Sequence, residues 1–123
     1  MPTILIVDDS GFQRAFLRKA LAAGGYEVVE AGNGDEALEI AAARRLDGIL
    51  TDLIMPDTRG LALLEALERR GSKVPVVVLT ADIQEGVKRQ CLEKGAARVL
   101  HKPVKPEVLR ATLDEVLARE GGS

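Results

Sequence analysis

The sequence has no tryptophan, two phenylalanines, one tyrosine, one histidine and one cysteine. An internal disulfide is excluded. Cys91 falls in a segment with helical spacing and is expected to be an ordinary buried thiol without a function. No apolar run approaches the ~20 residues that span a bilayer, and the amino-terminal strand lacks the basic flank of a signal peptide. Membrane insertion is not expected, and the expected location is the cytoplasm. Charge of one sign is also lacking, since the formal net charge is −2 with both signs scattered along the chain. Without a basic patch, direct nucleic-acid binding is not expected.

What is present is the balance of a folded domain: 46% hydrophobic and 29% charged residues in 123. That length holds one core and one ordinary domain. Short apolar, β-branched runs recur at 3–7, 26–30, 48–51, 74–79 and 97–100 and predict five strands. Segments with helical spacing lie between them. Their stripes are Phe12, Phe16 and Ala20; Ala37, Leu38 and Ala41; Leu61, Leu64 and Leu67; and Ile83, Val87 and Leu92. Each stripe is expected to face the sheet. The last segment carries Val108, Leu109, Thr112, Leu113, Val116 and Leu117 on one face, with Pro106 in its first turn.

Strict alternation of strand and helix, with strands 1, 3 and 4 almost wholly apolar, predicts an α/β fold. Its core is a doubly wound parallel sheet covered on both faces. Five such strands commonly adopt the order 2-1-3-4-5, with the ligand site at the carboxyl ends of strands 1 and 3.

The residues expected at those ends carry chemistry. Asp8 and Asp9 close strand 1 and Asp52 closes strand 3, so three carboxylates from distant positions enter one cleft. Crowded carboxylates need a neutralising cation, and an all-oxygen set suits Mg²⁺ or Mn²⁺. Taken singly, Asp8-Asp9-Ser10 reads equally well as a helix cap. Thr80 ends strand 4 with a hydroxyl, however, and Lys102 ends strand 5 with an ammonium. A transferring phosphoryl group needs its oxygens neutralised by such groups. An aspartate can be the nucleophile that receives it, and Asp52 is expected to be the central and deepest carboxylate.

Asp8-Asp9, Asp52 followed by Met55-Pro56 and Gly60, Thr80-Ala81 and Lys102-Pro103 together resemble the receiver domain of bacterial response regulators. The likeness covers the whole chain. It implies a flavodoxin-like sheet with five helices over 1–120, a short tail at 121–123 and no output domain, as in a stand-alone, chemotaxis-regulator-like receiver. It implies a histidine kinase or histidine phosphotransfer protein as phosphodonor to Asp52 and a downstream target protein. Mg²⁺ would be held by Asp9, Asp52 and the backbone carbonyl of Ile54, with Asp8 acting through water. Lys102, Thr80 and the amide of Ala81 would bind the phosphoryl oxygens, and Lys102-Pro103 would be cis. The domain would catalyse only its own phosphorylation and autodephosphorylation, the latter tuned by Ile54 and Asp82. Helix 4, strand 5 and helix 5 would be the responsive face, where Lys88, Arg89, Lys94 and Arg98 are charged candidates for partner contact or a homodimer. One position departs from the family: the aromatic residue often found three before the lysine is Val99. A valine is stiff at χ1 and cannot swing as a ring does. The switch positions are then Thr80 and Val99, and the change in helix 4, strand 5 and helix 5 is expected to be driven directly by Thr80, Ala81 and Lys102 closing around the new charge.

Three rival readings are weaker. Gly32-Asn33-Gly34-Asp35-Glu36-Ala37 matches a dinucleotide fingerprint but follows strand 2 rather than strand 1. A tight turn needing positive φ at Gly32 and Gly34 suffices. A small-molecule phosphatase would need an acid two residues after Asp52, where Ile54 stands. A receiver that has lost its phosphorylation chemistry would lack one of the five groups retained here. His101 precedes Lys102, and strand alternation points it away from the lysine's face.

Overall fold

The computed structural model describes residues 1–53, 59–81 and 85–121. Along the chain run β1 (Thr3–Val7), α1 (Gly11–Ala22), β2 (Glu27–Ala31), α2 (Gly34–Ala43), β3 (Gly48–Leu53), α3 (Arg59–Arg69), β4 (Val76–Thr80), α4 (Glu85–Glu93), β5 (Arg98–His101) and α5 (Pro106–Gly121). All four strand pairings are parallel and the order is β2-β1-β3-β4-β5. The doubly wound α/β architecture expected from the alternation is therefore the one observed.

Strand alternation divides the core in two. Ile4, Ile6, Leu50, Val77 and Leu79 pack with Leu17, Leu21, Leu109 and Leu113, which places α1 and α5 on one face of the sheet. Leu5, Val7, Ile49, Val76 and Val78 pack with Ala37, Leu63, Leu64, Leu67 and Cys91, which places α2, α3 and α4 on the other. Both faces are covered, which is why β1 and β4 are apolar at nearly every position. Cys91 is fully buried, and burial raises its thiol pKa, in keeping with the inert role expected of it.

Several boundaries shift. β2 begins at Glu27, because the Tyr26 amide is taken by Leu21 O at the end of α1. β4 begins at Val76 and β5 at Arg98, while β3 continues through Asp52 to Leu53. The helical stripes also need correction. Leu17 and Leu21 cover the sheet, whereas Phe12 is 86% exposed and Phe16 39% exposed. The first turn of α1 lies beyond the end of the sheet, so a correctly spaced apolar residue there has no strand beneath it. Leu92 and Val108 are likewise exposed, with Cys91 and Leu109 taking the buried positions beside them. Ile83 lies outside the described residues.

Gly32 and Gly34 are not in the left-handed region; the described glycines with positive φ are Gly25, Gly71 and Gly95. The turn into α2 is instead a capping arrangement. Asn33 Oδ1 accepts from the Glu36 amide at 2.8 Å, and Glu36 Oε1 accepts from the Gly32 amide at 2.8 Å. Two donors are satisfied without a left-handed residue. α5 starts at Pro106 and runs to Gly121, one residue into the expected tail; the remainder of 121–123 lies outside the described residues.

Candidate functional site

The sheet's connection direction reverses between β1 and β3, which opens a crevice at their carboxyl ends. Asp8 follows β1 directly, and its amide extends the ladder by donating to Ala31 O at 3.1 Å. Ser10, rather than either aspartate, caps α1, accepting from the Gln13 amide. Asp8 is thus free of capping, although its Oδ1 accepts from the Ser10 amide at 2.8 Å. Its Oδ2 is buried and has no hydrogen-bond donor among the described residues. Burial, partly opposed by the Ser10 amide and reinforced by the nearby Asp52 charge, raises the Asp8 pKa.

Asp52 sits opposite Leu79 in the β3–β4 register. Carboxylate oxygens of Asp8, Asp9 and Asp52 lie within 4.8 Å of one another. The depth order differs from expectation: Asp8 is buried at 3% exposure, Asp52 is half-buried and Asp9 is exposed. Asp8 leaves the strand inside the crevice, whereas Asp9 is already in the turn toward α1.

Lys102 follows β5, its amide bonded to Thr80 O at 2.8 Å. Its Nζ lies 2.6 Å from Asp52 Oδ1. That contact is ionic and lacks the alignment of a hydrogen bond, so Oδ1 is buried without an aligned donor among the described residues. The Lys102-Pro103 peptide is cis. Thr80 is the last residue of β4 and fully buried, opposite Leu53 on one side and His101 on the other. Ala81 beyond it is exposed and lines an open pocket with Lys102, Pro103, Val104 and Phe16. His101 is exposed.

The donor set fits a small divalent cation. It consists of oxygens only, it carries excess negative charge that Lys102 alone does not balance, and the buried Asp8 Oδ2 lacks a partner. Asp8, Asp9 and Asp52 are the described residues that would hold the ion. Ile54 and Asp82 lie outside the described residues, as do Met55 and Pro56.

Two residues that sequence reasoning passed over belong to this neighbourhood. Arg14 Nη1 donates to the backbone oxygen of Asp8 at 2.5 Å, and Arg14 Nε donates to Glu30 at 3.0 Å. The one hint in the sequence is Glu30, an acidic residue near the carboxyl end of the edge strand β2, which also carries Glu27 at its start. The charged face on α4 and β5 is less open than expected: Lys94 pairs with Glu65 at 3.6 Å and Arg98 pairs with Glu115, while Arg89 is exposed.

A family model described as the response regulator receiver domain matches residues 4–114. The chain belongs to that family. The receiver is 41% identical over 121 residues to the phosphate regulon transcriptional regulatory protein PhoB of Pseudomonas aeruginosa, covering 97% of this chain and 53% of the relative. It is 36% identical over 110 residues to the sensor histidine kinase RcsC of Salmonella typhimurium, covering 89% of this chain and 12% of the relative. The chain therefore spans about half the length of the first relative and a small part of the second. Among solved structures, the Vibrio cholerae chemotaxis protein CheY4 aligns with a TM-score of 0.87 at 35% identity, covering 94% of this chain and 98% of that one. The receiver domain of Francisella response regulator 1452 aligns at 0.90 with 27% identity, covering 97% and 98%. Receiver domains are phosphoryl-accepting switches of two-component signalling. They bind Mg²⁺ at an acidic pocket and interact with histidine kinases and downstream effectors. Among the described residues, no helix of this receiver is long and apolar enough to cross a membrane.

Proposed function

We propose that the receiver accepts a phosphoryl group on Asp52. The observation that carries the reading is the meeting of the three carboxylates with Lys102 Nζ, 2.6 Å from Asp52 Oδ1. An Asp52 carboxylate oxygen attacks the phosphorus of a phosphohistidine on a histidine kinase or phosphotransfer protein. The phosphorus–nitrogen bond breaks, the imidazole leaves and takes up a proton, and an acyl phosphate remains on Asp52. Asp8, Asp9 and Asp52, together with the Ile54 carbonyl, would hold Mg²⁺, which would supply charge neutralisation for the transferring group. Lys102 exchanges its partner from the carboxylate to a phosphoryl oxygen. The Thr80 hydroxyl and the Ala81 amide serve another oxygen, so that charge is met on several sides. Hydrolysis of the acyl phosphate returns the domain to rest, with Ile54 and Asp82 tuning its lifetime.

The donor approaches along α1. Phe12 and Phe16 are exposed at the end of the helix nearest the crevice, and the pocket that contains Lys102 and Ala81 is continuous with Phe16. The signal leaves through α4, β5 and α5 toward a target protein. Val99 is half-buried against the core on the face shared with Val78, which supports a passive role for it. The moving parts are Thr80, Ala81 and Lys102, closing on the new charge. Intact-mass analysis after incubation with acetyl phosphate and Mg²⁺ tests the reading. The wild type gains one hydroxylamine-sensitive phosphoryl group and Asp52→Asn gains none. A wild type that stays unmodified, or an equally modified Asp52→Asn, refutes it.

A further inference from the structure

The Asp8-Asp9 turn is held from outside as well as from within. The oxygen that Arg14 contacts belongs to the peptide joining Asp8 to Asp9, so its direction sets how the two carboxylates are presented relative to each other. Arg14 lies one turn into α1, where its amide makes the first helical hydrogen bond to Ser10 O at 3.0 Å. Side chains on a helix lean toward its amino terminus, which brings the guanidinium back over the turn. The guanidinium is itself fixed. Its Nε meets Glu30 Oε1 at 3.0 Å, while Glu30 Oε2 accepts from Arg18 at 2.7 Å. The Glu30 carboxyl is held below the usual carboxylate range by the Arg18 hydrogen bond first and by Arg14 as well. A planar fork holds its Nε and Nη1 donors at a fixed separation and direction, a geometry that the compact ammonium of a lysine does not reproduce.

We infer that Arg14, anchored by Glu30 on the edge strand, is a positioning residue for the cation site, fixing the Asp8-Asp9 peptide so that both carboxylates face the cleft. This rests on the reading of the acidic cluster as a Mg²⁺ site. Partners of that kind, which touch a ligand's support rather than the ion, alter metal affinity by about 10- to 100-fold when lost. Arg18 is a matched control, since it shares Glu30 and makes no contact with Asp8.

The test is titration of the metal-free receiver with Mg²⁺ alone, by calorimetry and by amide chemical shifts of Asp9 and Ser10, with folding checked by urea denaturation. Arg14→Ala is expected to weaken Mg²⁺ by about tenfold and to move those two amides before any metal is added, while Arg18→Ala stays within about twofold of wild type. Arg14→Lys is expected to remain weak, because a single nitrogen does not reproduce the separate, coplanar Nε and Nη1 donors. Should Arg14→Ala fail to fold, Glu30→Gln takes its place, and a several-fold loss of affinity is expected. Equal affinities for a folded Arg14→Ala or Glu30→Gln and for Arg18→Ala overturn the inference, as does full recovery in Arg14→Lys, which would reduce the effect to charge. A wild type that does not bind Mg²⁺ instead overturns the reading of the site on which this one rests.

Discussion

Asp8→Asn should make the metal-free receiver more stable. Asp8 is buried, its Oδ2 has no hydrogen-bond donor among the described residues, and burial raises its pKa ahead of every other influence. Its carboxylate stands no farther than 4.8 Å from those of Asp9 and Asp52. Two like charges at that spacing repel by roughly 3 kcal/mol at an effective dielectric of about 20. Lys102 offsets part of this through its contact with Asp52 and through its charge near Asp8, which has no ion pair of its own among the described residues. An asparagine keeps an acceptor for the Ser10 amide, removes the charge and offers Asp52 a donor. The net gain is about 1–2 kcal/mol, or roughly 1 M in the urea midpoint.

The gain has a pH signature. Because the folded-state pKa of Asp8 is raised, the native protein binds its proton more tightly than the unfolded chain does. Below the unfolded pKa of about 4 both states are protonated and the penalty is absent. It grows as pH rises through the folded value and is complete above it, so the advantage of Asp8→Asn should vanish in acid and be full at neutral pH. Mg²⁺ reverses the ranking. Ligand at a hundred times its dissociation constant stabilises the wild type by about 2.7 kcal/mol, and the variant, lacking one carboxylate, gains far less. Urea melts of both proteins across pH, with and without Mg²⁺, provide the assay. A destabilised metal-free Asp8→Asn, or an equal Mg²⁺ gain in both proteins, refutes the reasoning.

Two further outcomes separate docking from chemistry and packing from exposure. Phe12→Ala should slow transfer from a phosphohistidine protein by about tenfold, the scale of one aromatic side chain left unburied, while phosphorylation by acetyl phosphate keeps its rate; equal slowing with both donors rules the α1 approach out. In α5, Leu113→Ala should cost about 2–5 kcal/mol in urea denaturation because the residue is 1% exposed. Val108→Ala on the same helix should stay within about 0.5 kcal/mol, and a large loss there would mean that Val108 is packed after all.

Local patterns carried the architecture because each is a short-range signal. A strand's β-branched run, a helix's spacing and the alternation between them do not depend on what lies across the molecule, and the parallel order follows from the alternation. The same logic placed Asp8, Asp52, Thr80 and Lys102 at strand ends, since side chains that terminate parallel strands must meet at one edge. Sequence spacing could not rank those groups by depth or show which helix residues have a strand beneath them. Asp8, rather than Asp52, is the most buried of the three clustered acids because the chain leaves β1 inside the crevice. Phe12 matches the stripe that buries Ala20 by spacing alone, yet it projects past the sheet and meets solvent. The 2.6 Å contact of Lys102 with Asp52 and the reach of Arg14 to the Asp8 carbonyl join residues that no period relates. Such contacts depend on how five strand ends and one helix are set against each other. By itself the sequence determined the sheet, its order and the set of groups at its edge; the tertiary structure alone decided which are buried, which are paired and what holds them, because depth and pairing are properties of packing across the chain.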